Sequence, residues 1–132
     1  MKALADITAK YIGRPFTDYG CAEFVYQFLD DLGLDPPRGA DGLTVDNYKA
    51  MVDEDIKAAQ RKMLKSFRLI GRKSNNQYPH IGDLLIIEQD NDVFFPAVYV
   101  GAGQAIASFI RQGISVFRID SKNRVILARS LG

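Results

Sequence analysis

Cysteine and histidine are scarce in this chain: its 132 residues contain one of each, Cys21 and His80. A single cysteine excludes an internal disulfide, so the fold does not depend on an oxidising compartment. One thiol and one imidazole, without clustered carboxylates near either, form no recognisable metal site. We therefore expect no metal and no cofactor.

Long apolar runs are also missing. Asp6 interrupts the N-terminal stretch where a signal peptide needs an unbroken apolar segment, and no other segment approaches membrane-spanning length. We expect no membrane insertion, and a cytoplasmic location as synthesised unless the chain leaves by a route that needs no signal peptide. The net charge of +1 argues against bulk nucleic-acid binding, so we expect no nucleic-acid partner.

The chain has the composition of one globular domain, with 47% hydrophobic and 25% charged residues and no low-complexity tract. Its length leaves room for one hydrophobic core. Helical patterns occupy residues 3–67, and short β patterns follow from Gly82 onward. Helices followed by a meandering sheet indicate an α+β fold. We predict a single domain over residues 1–132, with N-terminal helices packed on a C-terminal antiparallel sheet of about five strands.

The predicted strands are short apolar runs bounded by Gly, Asp, Asn or Ser. Tight turns such as Gly101-Ala102-Gly103 favour antiparallel pairing. We interpret this Gly-x-Gly as a hairpin turn and not as a phosphate cradle, because no helical pattern follows it. The predicted strands are Leu84–Ile87, Phe94–Val100, Gln104–Phe109, Ile114–Ile119 and Arg124–Ala128.

A helical elaboration is predicted at about residues 45–75, where apolar residues recur at spacings of three and four. Acidic residues dominate from Asp18 to Asp55, whereas every charged residue from Lys57 to Lys73 is basic. The basic segment is either a solvated helix face or a docking patch for an acidic surface or a phosphate-bearing polymer. The apolar stripe consists of Tyr48, Val52, Ile56, Ala59, Met63 and Phe67, and the basic residues are Lys57, Arg61, Lys62, Lys65, Arg68, Arg72 and Lys73.

Cys21 stands at the start of the second helical pattern, directly after Gly20. Apolar residues recur behind it at helical spacing, and this helix is predicted to end at Leu32-Gly33. A thiol in the first turn of a helix faces unpaired backbone N–H groups and the positive end of the helix dipole, which both stabilise thiolate. Cys21 is therefore either a nucleophile or a small buried hydrophobic residue.

Four short segments follow one another along the chain: Tyr11-Ile12-Gly13-Arg14-Pro15-Phe16, Gly20-Cys21-Ala22-Glu23-Phe24-Val25, His80-Ile81-Gly82-Asp83-Leu84 and Ala97-Val98-Tyr99-Val100-Gly101-Ala102-Gly103. In this order and spacing they resemble the NlpC-type family of papain-like cysteine peptidases, over residues 11–34 and 80–118. The resemblance implies a compact α+β domain with Cys21 at the nucleophile position. It also implies a relationship to enzymes that cleave peptide bonds in bacterial cell-wall peptidoglycan.

The chain departs from this family at the partners of the thiol. In the family a histidine that opens the hairpin strand acts as general base, and a polar residue twelve positions later orients it. Here the first place falls on Phe95, or on Pro96 if the register shifts by one, and the second falls on Ala107. Phe16 replaces an expected tyrosine and Gly20 an expected acidic residue. Because Phe95 and Ala107 cannot accept a proton, the nucleophile lacks two of its usual partners.

We take Cys21 as the candidate catalytic residue, and Phe16, Tyr19, Phe95 and Ala107 as candidate binding residues around it. His80 precedes Gly82-Asp83 in a predicted loop, and it is either an exposed turn residue or a base displaced from the family's strand.

The resemblance, together with the replaced partners of the thiol, implies a catalytically impaired binding or assembly module related to peptidoglycan hydrolases. Its expected partner is a cell-wall peptide or a protein, in a bacteriophage-tail or delivered-effector setting. The alternative is an active cysteine hydrolase of cell-wall peptides that uses Cys21 with an unconventional base. Kinship of fold does not decide between the two.

Overall fold

The computed structural model describes residues 4–15, 21–34, 54–69, 71–89, 93–109 and 111–131. The helices in these ranges come first and the main sheet strands follow, so the predicted α+β architecture is confirmed. The helices are α1 (Leu4–Tyr11), α2 (Cys21–Asp31) and α3 (Ile56–Phe67). The strands are β1 (Arg72–Lys73), β2 (Leu84–Gln89), β3 (Val93–Gly101), β4 (Gln104–Phe109), β5 (Gly113–Arg118) and β6 (Asn123–Ser130).

The strands form one antiparallel sheet in the order β1-β6-β2-β3-β4-β5. It has six strands, one more than predicted, because Arg72 and Lys73 pair with Ser130 and Arg129. A two-residue polar strand has no apolar alternation, so the sequence carries no signal for it. Gly71 leads into β1 with φ +55°, and a Cβ there would lie 2.1 Å from the Ser130 carbonyl oxygen. Only glycine fits this approach.

Helix α2 packs on the sheet through an apolar face. Phe24, Val25 and Phe28 are fully buried, as helical spacing predicts for one side of an amphipathic helix. The helix ends as expected at Gly33, which has φ +82°. The N–H of Leu34 donates to the carbonyl of Leu29 at 3.0 Å, which satisfies a carbonyl that the helix itself leaves unpaired.

The two faces of the sheet carry separate apolar clusters, because successive strand residues point to opposite sides. On the helix-side face, sheet residues pack with residues of all three described helices. The far face is rich in alanine, and no residue of these helices belongs to its cluster. The helix-side face includes Leu84, Ile86, Val98, Ile106 and Ile114. The far face includes Leu85, Ile87, Phe95, Ala97, Ala105, Ala107 and Ala128.

Helix α3 lies within the predicted elaboration at about residues 45–75. The Asp55 carboxylate accepts hydrogen bonds from the N–H groups of Lys57 (3.1 Å) and Ala58 (3.2 Å), which caps the helix N-terminus. Phe67 is fully buried and its ring lies 6.4 Å from that of Tyr26 in α2. Residues 35–53, including Tyr48 and Val52 of the predicted stripe, lie outside the described residues.

Across the described ranges, no helix combines the length and the apolar character needed to cross a bilayer.

Candidate functional site

Residues 10–14, which precede α2, are held in place by two sets of contacts. The hydroxyl of Tyr11 donates to Asp31 Oδ2 at 2.5 Å, and Lys10 Nζ lies 3.0 Å from the same oxygen. These contacts join the C-terminal ends of α1 and α2. The N–H of Ile114 donates to the Arg14 carbonyl (2.8 Å), and the N–H of Gly13 donates to the Ile114 carbonyl (3.0 Å). The chain that leads towards α2 is therefore held against the edge of β5.

Cys21 is the first residue of α2, as predicted. Its side chain lies outside those that the structure describes, and so do residues 16–20, which include Phe16 and Tyr19. The predicted surroundings of the thiol therefore stay a prediction. Helical spacing puts position 21 on the same helix face as Phe24 and Phe28, which are buried against the sheet.

Phe95 and Ala107 lie together in the apolar cluster of the far face. Phe95 is 8% exposed and Ala107 is fully buried. The ring of Phe95 packs edge-on against Phe109 (5.3 Å between centroids) and Phe117 (5.6 Å), which lie 5.5 Å from each other. The structure thus brings these two predicted residues together, but on the side of the sheet opposite the buried face of α2.

Pro96 and Ser108 occupy the helix-side face instead. Pro96 is buried opposite Ile86 of β2, and Ser108 is 4% exposed opposite Ile114 of β5. The β3–β4 register at Val98↔Ile106, extended by two residues, places Ser108 level with Pro96.

Ser108 is a residue that the sequence reasoning missed. The alternative register had already singled out Pro96, and counting twelve residues from Pro96 leads to Ser108. Ser108 has an interaction partner, as is usual for a buried polar residue. Neither proline nor serine is a general base of the kind an imidazole supplies.

His80 is an exposed turn residue, with 82% of its side chain accessible. Its backbone N–H donates to Asp83 Oδ2 at 2.8 Å, whereas Nδ1 of its ring is 3.9 Å from the same oxygen. The Ser74 hydroxyl also donates to this carboxylate, and the Asp83 carbonyl accepts from the Tyr99 N–H at 3.0 Å. Tyr99 and Phe95 are four residues apart on β3, or about 13 Å in a strand. His80 therefore lies towards the other end of β3 from Phe95.

The Asp83 carboxylate has a structural task in this turn. Asp83 is 2% exposed. Its carboxylate holds the loop that precedes β2, because it accepts hydrogen bonds from Ser74 and His80. The predicted Gly-Asp-Leu strand start is thus a hydrogen-bonded turn. Within the described ranges, no three His, Cys, Asp or Glu residues are grouped so that they could hold a metal ion.

Comparison with solved structures shows what this arrangement resembles. The fold is similar to the crystal structure of an NlpC/P60 family protein from Bacillus cereus ATCC 10987, with a TM-score of 0.59 and 15% sequence identity. The similarity covers 98% of this chain and 40% of the other, so this chain spans less than half the length of that protein. No family model matches the sequence, and no curated protein matches it. The likeness establishes an NlpC/P60-like fold.

Proposed function

We propose that this chain is a binding or assembly module with an NlpC/P60-like fold and an impaired catalytic centre. In this proposal Cys21 keeps the position of a nucleophile at the start of α2, but no general base stands beside it. The observation that carries the proposal is the chemistry of β3 and β4 at the two possible registers. In one register the base and orienting positions are Phe95 and Ala107, and in the other they are Pro96 and Ser108. Neither pair contains an imidazole or a carboxylate.

The cost of a missing base supports this assignment. A positioned general base contributes about a hundredfold to ten-thousandfold to a rate. A cysteine at its ordinary pKa is only a few per cent thiolate at neutral pH. The far-face position is filled by three packed phenylalanine rings, and such a cluster leaves no space for a displaced polar partner. The exposure of the His80 ring beside Asp83 argues against this residue as a substitute base.

The partner class proposed for the module is a cell-wall peptide or a protein. A cleft that has lost its base can still bind the peptide that an active relative would cut, because substrate binding and transition-state stabilisation are separable. The bacteriophage-tail or delivered-effector setting rests on the sequence resemblance alone.

Purified muropeptides provide the test. The native chain and Cys21→Ala are incubated with them, beside an active cell-wall cysteine peptidase as positive control, and the products are separated by chromatography. We expect no cleavage by either chain, together with binding of the peptides by both in equilibrium dialysis. A cleavage product that forms with the native chain and not with Cys21→Ala would instead establish the active hydrolase.

A further inference from the structure

Strand β5 forms one edge of the sheet, and the described residues pair with only part of this edge. At Ile114 both outward backbone groups are paired, with Gly13 and Arg14. Alternate residues of a strand direct their backbone N–H and C=O groups to the same side. The backbone groups of Val116 and Arg118 therefore point away from β4, as those of Ile114 do. In the part of the chain that the structure describes, the outward N–H and C=O groups of these two residues have no hydrogen-bond partner.

An open apolar groove of about 610 Å³ borders this edge, between α1 and the helix-side face of the sheet. Val116 belongs to both features: its side chain lines the groove and its backbone stands at the open edge. Ile12, at the α1 side of the groove, is 45% exposed. The lining residues are Leu4, Ala5, Thr8, Ala9, Ile12, Val100, Gln104 and Val116.

The β5 end of the groove carries a positive charge. Arg118 lies two residues beyond Val116 and therefore on the same face of β5. It is exposed, and its Cα partner on β4 is Gln104, a groove residue. No acidic residue is among those that line the groove. Asp120, the carboxylate nearest to Arg118 along the chain, accepts hydrogen bonds within its own turn from the N–H groups of Lys122 and Asn123.

We propose that this edge and groove bind an extended peptide that carries an apolar side chain and, two residues away, a carboxylate. The peptide backbone pairs with the outward groups of Val116 and Arg118, as in other cases of β-strand addition. Its apolar side chain enters the groove against α1, and its carboxylate meets the Arg118 guanidinium. A spacing of two residues is required because both side chains must lie on one face of the added strand.

A second copy of the chain fits this edge less well than a short peptide. An antiparallel pair of β5 strands centred on Val116 would extend over Ile114, whose outward groups are already taken by Gly13 and Arg14. It would also bring Arg118 of one copy towards Arg14 of the other, and like charges across a strand pair are destabilising. The open edge has the length that a peptide of about five residues can cover.

The probe is the synthetic seven-residue peptide Thr-Thr-Leu-Thr-Glu-Thr-Thr, in which the leucine and the glutamate are two residues apart and therefore lie on one face of an extended strand. It is titrated into the full chain labelled with ¹⁵N. We expect the amide signals of Val116 and Arg118 to shift on binding, because their free N–H groups gain acceptors. The amide of Ile114, which already donates to Arg14, should keep its position.

Variants of the protein and of the peptide separate strand addition from general electrostatic attraction. Arg118→Glu should weaken binding of the glutamate peptide about fivefold at low salt, and a lysine version of the peptide should regain affinity for this variant. Arg111→Glu is the matched control, since Arg111 is an exposed cation that does not line the groove; it should leave the affinity unchanged. A peptide N-methylated at the amide that pairs with Val116 should not bind.

Three results would overturn the proposal: no saturable binding at millimolar peptide, equal binding of the N-methylated peptide, or equal losses for Arg118→Glu and Arg111→Glu. A fourth is concentration-dependent shifts of the Val116 and Arg118 amides without peptide, together with a dimer in analytical ultracentrifugation. That outcome would assign the edge to a second copy. None of these measurements depends on Cys21, so they remain informative whether or not the chain cleaves muropeptides.

Discussion

At the scale of single residues, position along β3 matters because one step moves a side chain to the other face of the sheet. Phe95 belongs to the far face and Pro96 to the helix-side face. The sequence resemblance selected Phe95 as the base position and kept Pro96 as the alternative register. The buried face of α2, which includes Phe24 and Phe28, packs with the helix-side face. An imidazole at Pro96 is therefore the better placed of the two to approach the start of α2.

This difference can be measured by introducing histidine at each place in turn. We expect Pro96→His to shift the alkylation of Cys21 towards lower pH, because a nearby imidazolium lowers the pKa of a thiol. Phe95→His, alone or with Ala107→His, should leave the alkylation profile unchanged. The readout is the iodoacetamide reaction rate against pH in folded variants. A shift in Phe95→His without one in Pro96→His would show that position 95, and not position 96, lies beside Cys21.

Asp83 and His80 lie in the same turn, but only the Asp83 side chain is expected to stabilise it. Removing the carboxylate in Asp83→Ala leaves the part-buried N–H of His80 and the part-buried Ser74 hydroxyl without their acceptor, which should cost about 1–3 kcal/mol of unfolding free energy. His80→Ala is the matched control, and it should change stability by less than about 0.5 kcal/mol because the ring is exposed. Urea denaturation of both variants measures this. A larger loss for His80→Ala would show that its ring has a contact of its own.

At the scale of elements, α3 presents a row of cations to solvent. Lys57, Arg61 and Lys65 are exposed and recur every four residues, so they lie along one side of the helix. Arg68 continues the row just after the helix and is also exposed. In the part of the chain described here, none of these four has an ion-pair partner. The row is either a solvated helix face or the docking patch that the sequence also permits.

Charge reversal distinguishes these two roles. The triple change Lys57→Glu, Arg61→Glu and Lys65→Glu should leave the thermal midpoint nearly unchanged, because exposed charges contribute little to stability. For a docking patch, it should abolish binding to poly-L-glutamate at low ionic strength, where long-range attraction is least screened. Fluorescence anisotropy at low and high salt provides the measurement. Equal binding by the native and reversed chains would leave α3 as a solvated face.

At the scale of the whole molecule, one sheet supports two apolar clusters. Helices cover the helix-side cluster, whereas aromatic rings pack over small alanines in the far-face cluster. Because β2, β3 and β4 contribute residues to both, neither cluster can come apart without disrupting strands that the other needs. We therefore expect the chain to unfold as one cooperative unit.

Truncation of one ring in each cluster tests this expectation. Phe28→Ala on the helix side and Phe95→Ala on the far face should each cost about 3–5 kcal/mol, as expected for buried phenylalanine. In both variants the far-ultraviolet circular dichroism and the tyrosine fluorescence should report the same single transition. Two separated transitions in Phe95→Ala would show that the far face unfolds independently. A loss below about 1 kcal/mol in that variant would mean that Phe95 is not part of a packed core.

The sequence by itself determined the order of the elements, the start of α2 at Cys21 and its end at Gly33, and the strands from β2 to β6. These follow from local signals, namely apolar periodicity, glycine at the end of a helical pattern and turn residues. Such signals need no knowledge of distant contacts. It also carried the four segments on which the likeness to NlpC/P60 proteins rests, and the structural comparison supports that likeness at the level of the fold.

Tertiary structure decided what lies next to what. The pairing of β1 with β6 joins residues almost sixty positions apart. A two-residue polar strand has no periodicity from which it could be predicted. The faces assigned to Phe95 and Pro96 depend on the register against β2, which the hydrophobic pattern leaves open because both residues are apolar. Within the described residues, Gly13 and Arg14 pair with Ile114 of β5, and none pairs with the outward backbone groups of Val116. Such contacts are set by the packing of separate segments, and no local pattern encodes them.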